Sequence, residues 1–383
     1  MIEIVNKSDC CGCTACYAIC PKHCISMKED NEGFCYPCID SSLCINCDLC
    51  IKVCPLLNYA ARNFESKIYA AKNKDLDILN NSTSGGAFFA LAKYTISQGG
   101  FVYGAIYSDD FSVQHIGVAT IDECKKLQGS KYVQSDLTDV FSEIKKHLLA
   151  GKKVLFSGTP CQVAGLNSFL RKEYDNLLTC DLVCHSVPSP KVFNDYLDFI
   201  QKKKKLKSIN MRWKGKSWSN PQIKLKYENG TTVVGKKEAK LWHSIAFSSI
   251  VSRPSCHVCK FTNYNRQGDF TIGDFWGIEK SHPDFFDDKG VSLVFVNTSK
   301  AATVFETIQS DFELKLSNKE ECSQPRLNFP APPSLKREQF WNEYDNSKFM
   351  YLAKKYWKYG LVNEIRELCL NIVRKIYYTI KRK

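Results

Sequence analysis

Beyond about residue 60, the hydrophobic and polar positions alternate between helical and strand spacing. Apolar residues recur at helical spacing over 84–98, and a strand-like run over 101–107 follows a Gly-Gly turn. A short apolar run at 154–157 then leads into a helix predicted over 161–172, and a run at 177–183 precedes a helix beginning near Pro190. Strands that alternate with helices predict crossover connections and therefore an α/β core.

The pattern changes in the last third of the chain. Residues 213–234 are typical of a hairpin turning at Asn229-Gly230, and further strands are predicted at 270–272 and 291–297. A Pro-rich stretch at 330–333 marks a boundary. Beyond it, one helical face carries Leu361, Ile365, Leu368, Ile372, Ile376 and Ile380 among basic residues. We expect this face to dock on its own protein; the alternative is peripheral contact with a membrane.

These changes predict four domains. Residues 1–60 form a cysteine-rich unit, 61–150 and 151–330 form the two parts of the α/β core, and 331–383 form a basic amphipathic helical tail. The first unit has little apolar sequence from which to build a core. Bound metal is therefore expected to supply much of its stability.

Composition narrows the class of protein. A chain of 383 residues that is 44% hydrophobic and 24% charged is an ordinary globular protein of more than one domain. The net charge of +13 lies in mixed-sign surroundings without any nucleic-acid-binding motif, so we expect a solvated surface and no nucleic-acid partner. No apolar run is long enough to span a bilayer and residues 1–8 contain no signal segment, which predicts a cytoplasmic protein.

Cysteine is the unusual component, because 20 are present and 12 of them precede residue 55. The spacing C-x2-C-x2-C-x3-C-P occurs twice there, once from Cys10 to Pro21 and once from Cys44 to Pro55. Three thiolates of such a loop reach three corners of a 4Fe-4S cluster, and the fourth cysteine reaches the neighbouring cluster. The predicted ligand sets are therefore crossed: Cys10, Cys13, Cys16 and Cys54 for one cluster, and Cys44, Cys47, Cys50 and Cys20 for the other.

Zinc is the alternative for these cysteines, but structural zinc sites usually pair two C-x2-C knuckles across a longer loop. Two adjacent 4Fe-4S clusters carry single electrons at low potential and are not themselves a catalytic centre. The sequence therefore predicts an electron donor such as a ferredoxin on one side, and a group that uses the electrons on the other.

A second set of cysteines lies in the α/β core. Cys161 and Cys184 follow predicted strands, and Cys256-His-Val-Cys259 forms a knuckle. Because cofactors bind where the strands of such sheets end, these cysteines are expected to converge. Spacing alone leaves three alternatives open, which are a third cluster, a zinc site and buried structural cysteines.

Several short motifs over 68–297 follow one another in a characteristic order. They are Asn81-Ser-Thr-Ser-Gly-Gly86, Gly129-Ser-Lys-Tyr-Val-Gln134, Gly158-Thr-Pro-Cys-Gln-Val-Ala-Gly165, Asp181-Leu-Val-Cys-His185, Val187-Pro-Ser-Pro190 and Gly273-Asp-Phe-Trp-Gly277. This stretch resembles the beta subunit family of coenzyme F420-reducing hydrogenase and dehydrogenase, which includes 7-hydroxymethyl chlorophyll a reductase. The resemblance implies an FAD-binding α/β core and a third 4Fe-4S cluster, for which Cys161, Cys184, Cys256 and Cys259 are the matching cysteines.

The resemblance also implies where the flavin lies. The expected FAD contacts are Ser82, Thr83, Ser84, Gly85, Gly86, Gly129, Ser130, Lys131, Tyr132, Thr159 and Gln162. Small residues at the start of a helix expose backbone N–H groups that suit a pyrophosphate, although an ordinary helix cap uses the same residues. No G-x-G-x-x-G sequence opens a βαβ unit, so the fold class we expect is a ferredoxin-like α+β domain, a non-Rossmann α/β flavin-binding core and a helical tail.

Catalytic candidates are His185, beside Cys184, and Lys131. Asp274 and Trp276 are expected near the same cavity. A nucleophile and base pair formed by Cys161 and His185 lacks an orienting partner, which disfavours hydrolysis. The predicted function is a ferredoxin-linked oxidoreductase whose FAD collects single electrons and reduces or oxidises a small organic substrate such as coenzyme F420. The alternative is a non-catalytic electron-transfer subunit of a larger redox complex.

Overall fold

The computed structural model describes residues 1–62, 64–215 and 217–360. The predicted apolar face from Leu361 to Ile380 lies outside these residues. The strands are β1 (Ile25–Glu29), β2 (Cys35–Ile39), β3 (Lys67–Asn73), β4 (Phe101–Tyr107), β5 (Val113–Val118), β6 (Val154–Gly158), β7 (Leu177–Leu182), β8 (Leu206–Trp213), β9 (Gln222–Tyr227), β10 (Thr232–Val234), β11 (Phe270–Asp274), β12 (Ser292–Val296) and β13 (Phe312–Ser317).

Helices connect and cover these strands. They are α1 (Ala15–Ile19), α2 (Leu49–Lys52), α3 (Leu76–Asn81), α4 (Ala87–Ser97), α5 (Ile121–Leu127), α6 (Val140–Leu149), α7 (Pro160–Leu170), α8 (Pro190–Gln201), α9 (Lys237–Ala246), α10 (Ile278–Ser281), α11 (Ser299–Ile308), α12 (Pro325–Asn328), α13 (Arg337–Tyr344) and α14 (Phe349–Trp357). Short 3-10 helices lie at Lys7–Asp9, Pro254–Val258 and Gln309–Asp311.

An eight-stranded mixed sheet forms the centre of the protein, in the order β13-β3-β12-β11-β7-β6-β4-β5. Its four middle strands, β11, β7, β6 and β4, are parallel, whereas β5 and the three strands at the other edge pair antiparallel. The crossover prediction is therefore confirmed for the middle of the sheet. The antiparallel strands show that the sheet is mixed, and it takes strands from both predicted core segments, 61–150 and 151–330.

Side chains alternate between two hydrophobic cores on the two faces of this sheet. Val102 and Leu155 pack beneath α4, α5 and α11, while Tyr103 and Phe156 pack beneath α6 and α7. The middle strands are apolar on both faces because helices cover both. This layering leaves the carboxyl ends of β6, β7 and β11 open at one edge.

A separate three-stranded sheet, in the order β10-β9-β8, packs with α8, α9, α13 and α14 around a core that includes Trp242 and Phe193. The predicted hairpin is correct for β9 and β10, which pair antiparallel across the Asn229-Gly230 turn. Its predicted start at Trp213 is wrong, because Trp213 ends β8 and residues 214–221 intervene. An irregular register between β8 and β9 obscures the period-two pattern there.

The N-terminal unit contains α1, α2 and the antiparallel pair β1 and β2. Its own core consists of Ile2, Ile25 and four cysteines, with partly buried neighbours. The unit also docks on the rest of the protein. The carboxylate of Glu32 pairs with Arg337 of α13, and the Ser189 hydroxyl donates to the Glu32 carbonyl at 2.5 Å.

Within residues 1–62, 64–215 and 217–360, none of the helices has both the length and the apolar character needed to cross a membrane.

A buried ion pair connects β7 to the segment that precedes β11. Asp181 accepts hydrogen bonds from Arg266 Nη2 at 2.8 Å and from the backbone N–H groups of Gln267 and Gly268 at 2.8 and 2.9 Å. Asp181 is fully buried and Arg266 is 1% exposed. Although Asp181 belongs to a motif that suggested a functional site, these contacts show that its carboxylate holds the sheet together.

We expect Asp181→Ala to destabilise the protein by about 3–5 kcal/mol, because it leaves a buried guanidinium without its counter-charge. The midpoint of urea unfolding, followed by circular dichroism, should fall strongly. Asp109→Ala at an exposed position serves as the control and should leave the midpoint nearly unchanged. Equal midpoints for the two variants would contradict the structural role of Asp181.

Candidate functional site

The structure brings together each of the two crossed cysteine sets in the N-terminal unit. One small cavity is lined by Cys10, Cys13, Cys16 and Cys54, and a second by Cys20, Cys44, Cys47 and Cys50. We call them the inner set and the outer set, because Cys13 and Cys16 are buried whereas Cys47 is exposed. Each cavity therefore combines three cysteines of one motif with the last cysteine of the other.

The two cysteine loops share one backbone conformation. The residues on either side of the second cysteine have positive φ in both loops, 71° and 60° at Gly12 and Thr14, and 52° and 56° at Asn46 and Asp48. As a result, the N–H of Gly12 points at Cys10 Sγ (3.4 Å), and the N–H of Asn46 points at Cys44 Sγ (3.5 Å). Backbone N–H groups directed at cysteine sulfur stabilise a thiolate and adjust the potential of a cluster it holds.

The cysteines of the core also converge. Cys161 lies in the first turn of α7 and Cys184 follows β7. Cys256 lies in the 3-10 helix Pro254–Val258, and Cys259 follows that helix. Burial raises the pKa of the Cys184 thiol well above its usual range, and the charges of Cys256, Cys161 and Cys259 raise it further. Burial likewise raises the pKa of Cys256 to about 12. These four thiols, the core set, are near neighbours that would ionise only when a metal centre holds them as thiolates.

Nowhere in 1–62, 64–215 and 217–360 do three His, Cys, Asp or Glu side chains come close enough to hold a single metal ion. A tetrahedral zinc ion draws its four ligands to about 2.0–2.3 Å from one point. A four-iron cluster is wider, so its cysteine ligands surround it at a greater distance from one another. For the inner and outer sets, four cysteines around one small cavity are an arrangement that such a cluster can occupy.

Contacts across the domain boundary place the inner set beside the core set. The Cys11 thiol is close enough to Cys13 and Cys161 to shift the pKa of both thiols. Cys13 also packs against Gly165, one turn along α7 from Cys161. A Cβ at Gly165 would meet Cys13 Cβ at 2.7 Å and Cys13 Sγ at 2.8 Å. Only glycine allows the N-terminal unit to approach α7 so closely.

A cavity of about 300 Å³ opens at the carboxyl ends of β6, β7 and β11. This volume lies at the lower end of the range for ligand sites, and ends of parallel strands are a common position for them. Its walls include Cys184 of the core set. Most of the sequence-predicted cofactor and catalytic residues line it: Ser82, Thr83, Ser84, Gly86, Gly129, Ser130, Lys131, Tyr132, Thr159, Gln162 and His185.

Gly85 is the predicted contact that does not line this cavity. A Cβ there would meet the Ala71 carbonyl oxygen of β3 at 2.0 Å, and its N–H donates to Ser292 Oγ at 2.9 Å. Gly85 therefore joins the loop to the sheet. The helix predicted from residue 84 begins instead at Ala87, after Gly86, whose φ is +89°. The small residues of this motif build the cavity wall and the turn into α4.

Several polar side chains of the wall already have partners. Lys131 Nζ donates to the carbonyls of Lys126, Leu127 and Gln128 at 2.8–3.1 Å, around the end of α5. Burial lowers the pKa of Lys131 to about 7, whereas the carbonyls at the helix C-terminus favour its charged form. Gln162 accepts from the Thr159 N–H at 2.9 Å and so caps α7. Lys131 and Gln162 thus position the loops that surround the cavity.

The remaining sequence-predicted residues are His185, Asp274 and Trp276, and the first two line the cavity. His185 lines the cavity, shares a hydrogen bond with Ser186 Oγ at 3.1 Å and packs edge-on against Phe247. Burial lowers the pKa of His185 to about 4. Asp274 also lines the cavity, but Trp276 stacks on Trp218 with ring centroids 5.1 Å apart.

Sequence reasoning missed two features of this site. Arg212 pairs with Asp274 at 2.7 Å and lies over the Trp276 ring, although its distance of 62 residues from Asp274 left no local signal. His115 of β5 lines the cavity, and its Nε2 bonds to the Ser157 carbonyl at 3.0 Å. A polar residue within a strand of otherwise apolar inward positions is the signal that could have revealed His115.

Residues 151–321 match the family defined by the C terminus of the coenzyme F420 hydrogenase/dehydrogenase beta subunit. The matched region contains the whole core set and much of the cavity wall. Over these residues, which are less than half of the chain, the protein is similar to that beta subunit family.

Two of the relatives carry F420 in their names. The F subunit of F(420)H(2) dehydrogenase from Methanosarcina mazei is 20% identical over 339 residues, covering 82% of this chain and 86% of that protein. Coenzyme F420-dependent sulfite reductase of Methanocaldococcus jannaschii is 28% identical over 172 residues, 43% of this chain but only 26% of that protein.

Two further similarities concern parts of the chain or its overall shape. An uncharacterized ferredoxin of Methanocaldococcus jannaschii is 38% identical over 52 residues, which cover 14% of this chain and 66% of that protein. A chain from the F420-reducing [NiFe] hydrogenase complex of Methanosarcina barkeri superposes with a TM-score of 0.48 at 19% identity. The superposition covers 79% of this chain and 95% of that chain. The two F420-related relatives and the ferredoxin support a redox role and iron–sulfur content for this chain.

The close contact between Cys13 and α7 predicts that a Gly→Ala substitution, which normally stabilises a helix, is harmful at Gly165. Gly→Ala within a helix usually stabilises by about 1 kcal/mol. We expect Gly165→Ala to lower the iron content of the purified protein, because its Cβ would displace Cys13. Iron should be measured per chain beside Ser168→Ala, a change in the same helix that should keep the wild-type value. Full iron in Gly165→Ala would show that this contact is not needed to hold the cluster.

Burial of His115 predicts a pH-dependent stability. Its pKa is lowered from 6.5 to about 4, first by burial and then by the charge of Lys131, although its Ser157 hydrogen bond and Asp136 oppose the shift. Between these pH values the unfolded chain binds a proton that the folded one does not. Stability is therefore complete above pH 6.5 and falls as the pH drops toward 4, by roughly 2 kcal/mol at pH 5.

Replacing His115 with Asn should remove this part of the pH dependence. The measurement is the difference in urea midpoint between pH 7 and pH 5 for the wild type and the variant. His23→Asn makes the same change at an exposed position and should keep the wild-type difference. An unchanged difference in His115→Asn would contradict the assignment.

Proposed function

We propose that this protein is an iron–sulfur flavoprotein oxidoreductase. It takes single electrons from a ferredoxin-type donor and passes them through the outer, inner and core sets to FAD in the 300 Å³ cavity, where a small organic substrate reacts. The observation that carries this proposal is the continuity of the thiol sets. The outer and inner sets share crossed motifs, the inner set meets the core set through Cys11, and the core set reaches the cavity wall at Cys184.

The exposure of the outer set supports electron entry there. Cys47 is exposed, and the nearby apolar side chains of Leu43, Ile45 and Leu57 are 54–58% exposed. Exposed apolar groups beside a redox centre provide a docking surface for a partner. With a net charge of +13, this protein suits an acidic donor, as a small ferredoxin would be.

The cavity residues support binding of a flavin. The first residues of α4 belong to its wall, and amide N–H groups at a helix N-terminus suit a phosphate. Tyr132 and Phe247 pack edge-on with centroids 5.0 Å apart, so one side of the cavity is aromatic. When bound, FAD would join the one-electron steps of iron–sulfur clusters to two-electron chemistry on an organic substrate. His185 lies on the same wall and is the side chain we assign to polar contact with that substrate.

Coenzyme F420 is the substrate class we propose, because two relatives that carry F420 in their names align with this chain. We also propose the domain assignment of 1–60 for the two N-terminal clusters, 61–150 for part of the flavin site, 151–330 for the third cluster and substrate, and 331–383 for the tail. All nineteen cysteines of the described residues are free thiols, which supports a reducing compartment, the cytoplasm.

A non-catalytic electron-transfer subunit is the second candidate. It is favoured by one observation, that the Methanosarcina mazei relative, which aligns over 82% of this chain, is named as one subunit of a dehydrogenase. In that role the cavity would serve a partner protein, and the chain alone would show no turnover.

The test is iron and flavin analysis of anaerobically purified protein. We expect about 12 iron atoms and one FAD per chain, since three clusters hold four iron atoms each. Cys256→Ser should lower the iron content to about 8 atoms, because it removes one ligand of the core set. Cys38→Ser changes an exposed cysteine outside the three sets and should leave the wild-type iron content.

The other results separate the alternatives. About 8 iron atoms with FAD in the wild type would rule out the third cluster, and the core set would then be structural. Full iron without flavin would favour the electron-transfer subunit. With both groups present, reduction of coenzyme F420 by reduced ferredoxin, followed by the change in the visible absorbance of the coenzyme, tests the substrate directly.

A further inference from the structure

Arg253 is a buried cation between the inner set and the core set. It is fully buried, it precedes the Cys256 knuckle directly in the chain, and its side chain reaches back into the N-terminal unit. Arg212, Arg266 and Arg337 each pair with a carboxylate. Within the described residues, no carboxylate forms an ion pair with Arg253, and the charges that act on it most strongly are those of Cys10, Tyr36, Cys11 and Cys256.

The guanidinium is fixed by a complete set of contacts. Its Nε donates to the Cys10 carbonyl at 2.8 Å, Nη1 donates to Gln134 Oε1 at 3.0 Å, and Nη2 donates to the Cys35 carbonyl at 3.0 Å. The same Nη2 approaches Cys10 Sγ at 3.5 Å. The ring of Tyr36 lies 4.4 Å from the guanidinium carbon and that of Phe34 lies 5.3 Å away.

These contacts require a residue without a side chain at position 12, in the first cysteine loop. A Cβ on Gly12 would meet Gln134 Nε2 at 2.4 Å and Arg253 Nη1 at 2.8 Å. Gly12 therefore serves two needs, the left-handed turn between Cys10 and Cys13 and the approach of Arg253 to that loop. The N-terminal unit and the core are built to bring this one charge against the inner set.

A guanidinium buried without an opposite charge is costly, so the site requires a negative group beside it. Neutral carbonyls satisfy its N–H groups but supply no net charge. A cluster held by four thiolates of the inner set does supply it. The outer set borders solvent at Cys47 instead.

We propose that Arg253 is a positioning residue that raises the reduction potential of the inner cluster relative to that of the outer cluster. This inference rests on the proposed clusters. Each reduction adds one electron and no proton, so the negative charge of the cluster grows by one. A fixed positive charge and an N–H directed at Cys10 sulfur both favour the reduced form. Electrons that enter at the outer set therefore move energetically downhill to the inner set.

The test is an anaerobic redox titration of the full-length protein, followed by the electron paramagnetic resonance of the reduced clusters. Dithionite is the reductant, and iron per chain is measured in every sample. We expect Arg253→Met to shift the inner cluster about tenfold toward its oxidised form. For a one-electron couple, this is a fall of roughly 59 mV in the reduction potential. Lys146→Met, which removes an exposed positive charge from α6, should leave all the potentials unchanged.

Arg253→Lys keeps the charge with fewer hydrogen bonds and should lie much closer to the wild type than Arg253→Met. If Arg253→Met does not fold, the lysine variant decides the matter. If Arg253→Lys, at full iron content, also shifts the inner cluster tenfold toward its oxidised form, the positive charge does not set the potential and the proposal is overturned.

Unshifted potentials in Arg253→Met with full iron would show that this residue only holds the two units together. Wild-type protein that lacks cluster signals and iron would instead refute the proposed function itself. The two failures are therefore distinguishable.

Discussion

The close packing of Cys13 on Gly165 is the contact on which the arrangement of the three thiol sets depends. It brings a loop of the N-terminal unit to the first turns of α7, and that helix carries Cys161 at its start. Because a helix rises only about 1.5 Å per residue, Gly165 and the Cys13 that packs on it lie about one turn along α7 from Cys161. Glu32 with Arg337, and Ser189 with the Glu32 carbonyl, fix the same unit at a second place. Together with the bonds from Arg253 to the carbonyls of Cys10 and Cys35, these anchors set both the distance and the orientation of the unit.

Burial of the thiols has a cost that bound metal offsets. Burial and neighbouring thiol charges raise the pKa of Cys16 to about 12, and burial raises that of Cys259 to about 11. Deprotonation at neutral pH is therefore unfavourable without a cation, and the small apolar core of the N-terminal unit adds little stability of its own. The fold and the metal chemistry of this region would consequently be coupled, whereas the apolar cores of the large sheet do not include the outer set.

The sequence predicted best what short spacing determines. The crossed cysteine sets are predicted from loops of fixed length, and each set lines one of two cavities, together with Cys11 in one and Cys24 in the other. The alternation of strands and helices predicted the parallel middle of the sheet for the same local reason. Where tertiary contacts decide, prediction failed or was silent. Gly85 faces β3 instead of the cavity, and Trp213 ends β8. Arg253 reaches Cys10 across 243 residues, a contact that no pattern within either segment could indicate.

Because the N-terminal unit and the core are docked within one chain, ionic strength and dilution act differently on the contacts inside the protein and on its contacts with another protein. Contacts between the inner and core sets are buried, so dissolved ions screen them little, and dilution cannot separate them. In the proposed function, a donor reaches the exposed edge near Cys47 by diffusion between charged surfaces, and dissolved ions would weaken that encounter. Ionic strength should therefore act on the bimolecular encounter alone and leave the internal relay insensitive to it. The rate-limiting step can then change from internal transfer to encounter as salt rises.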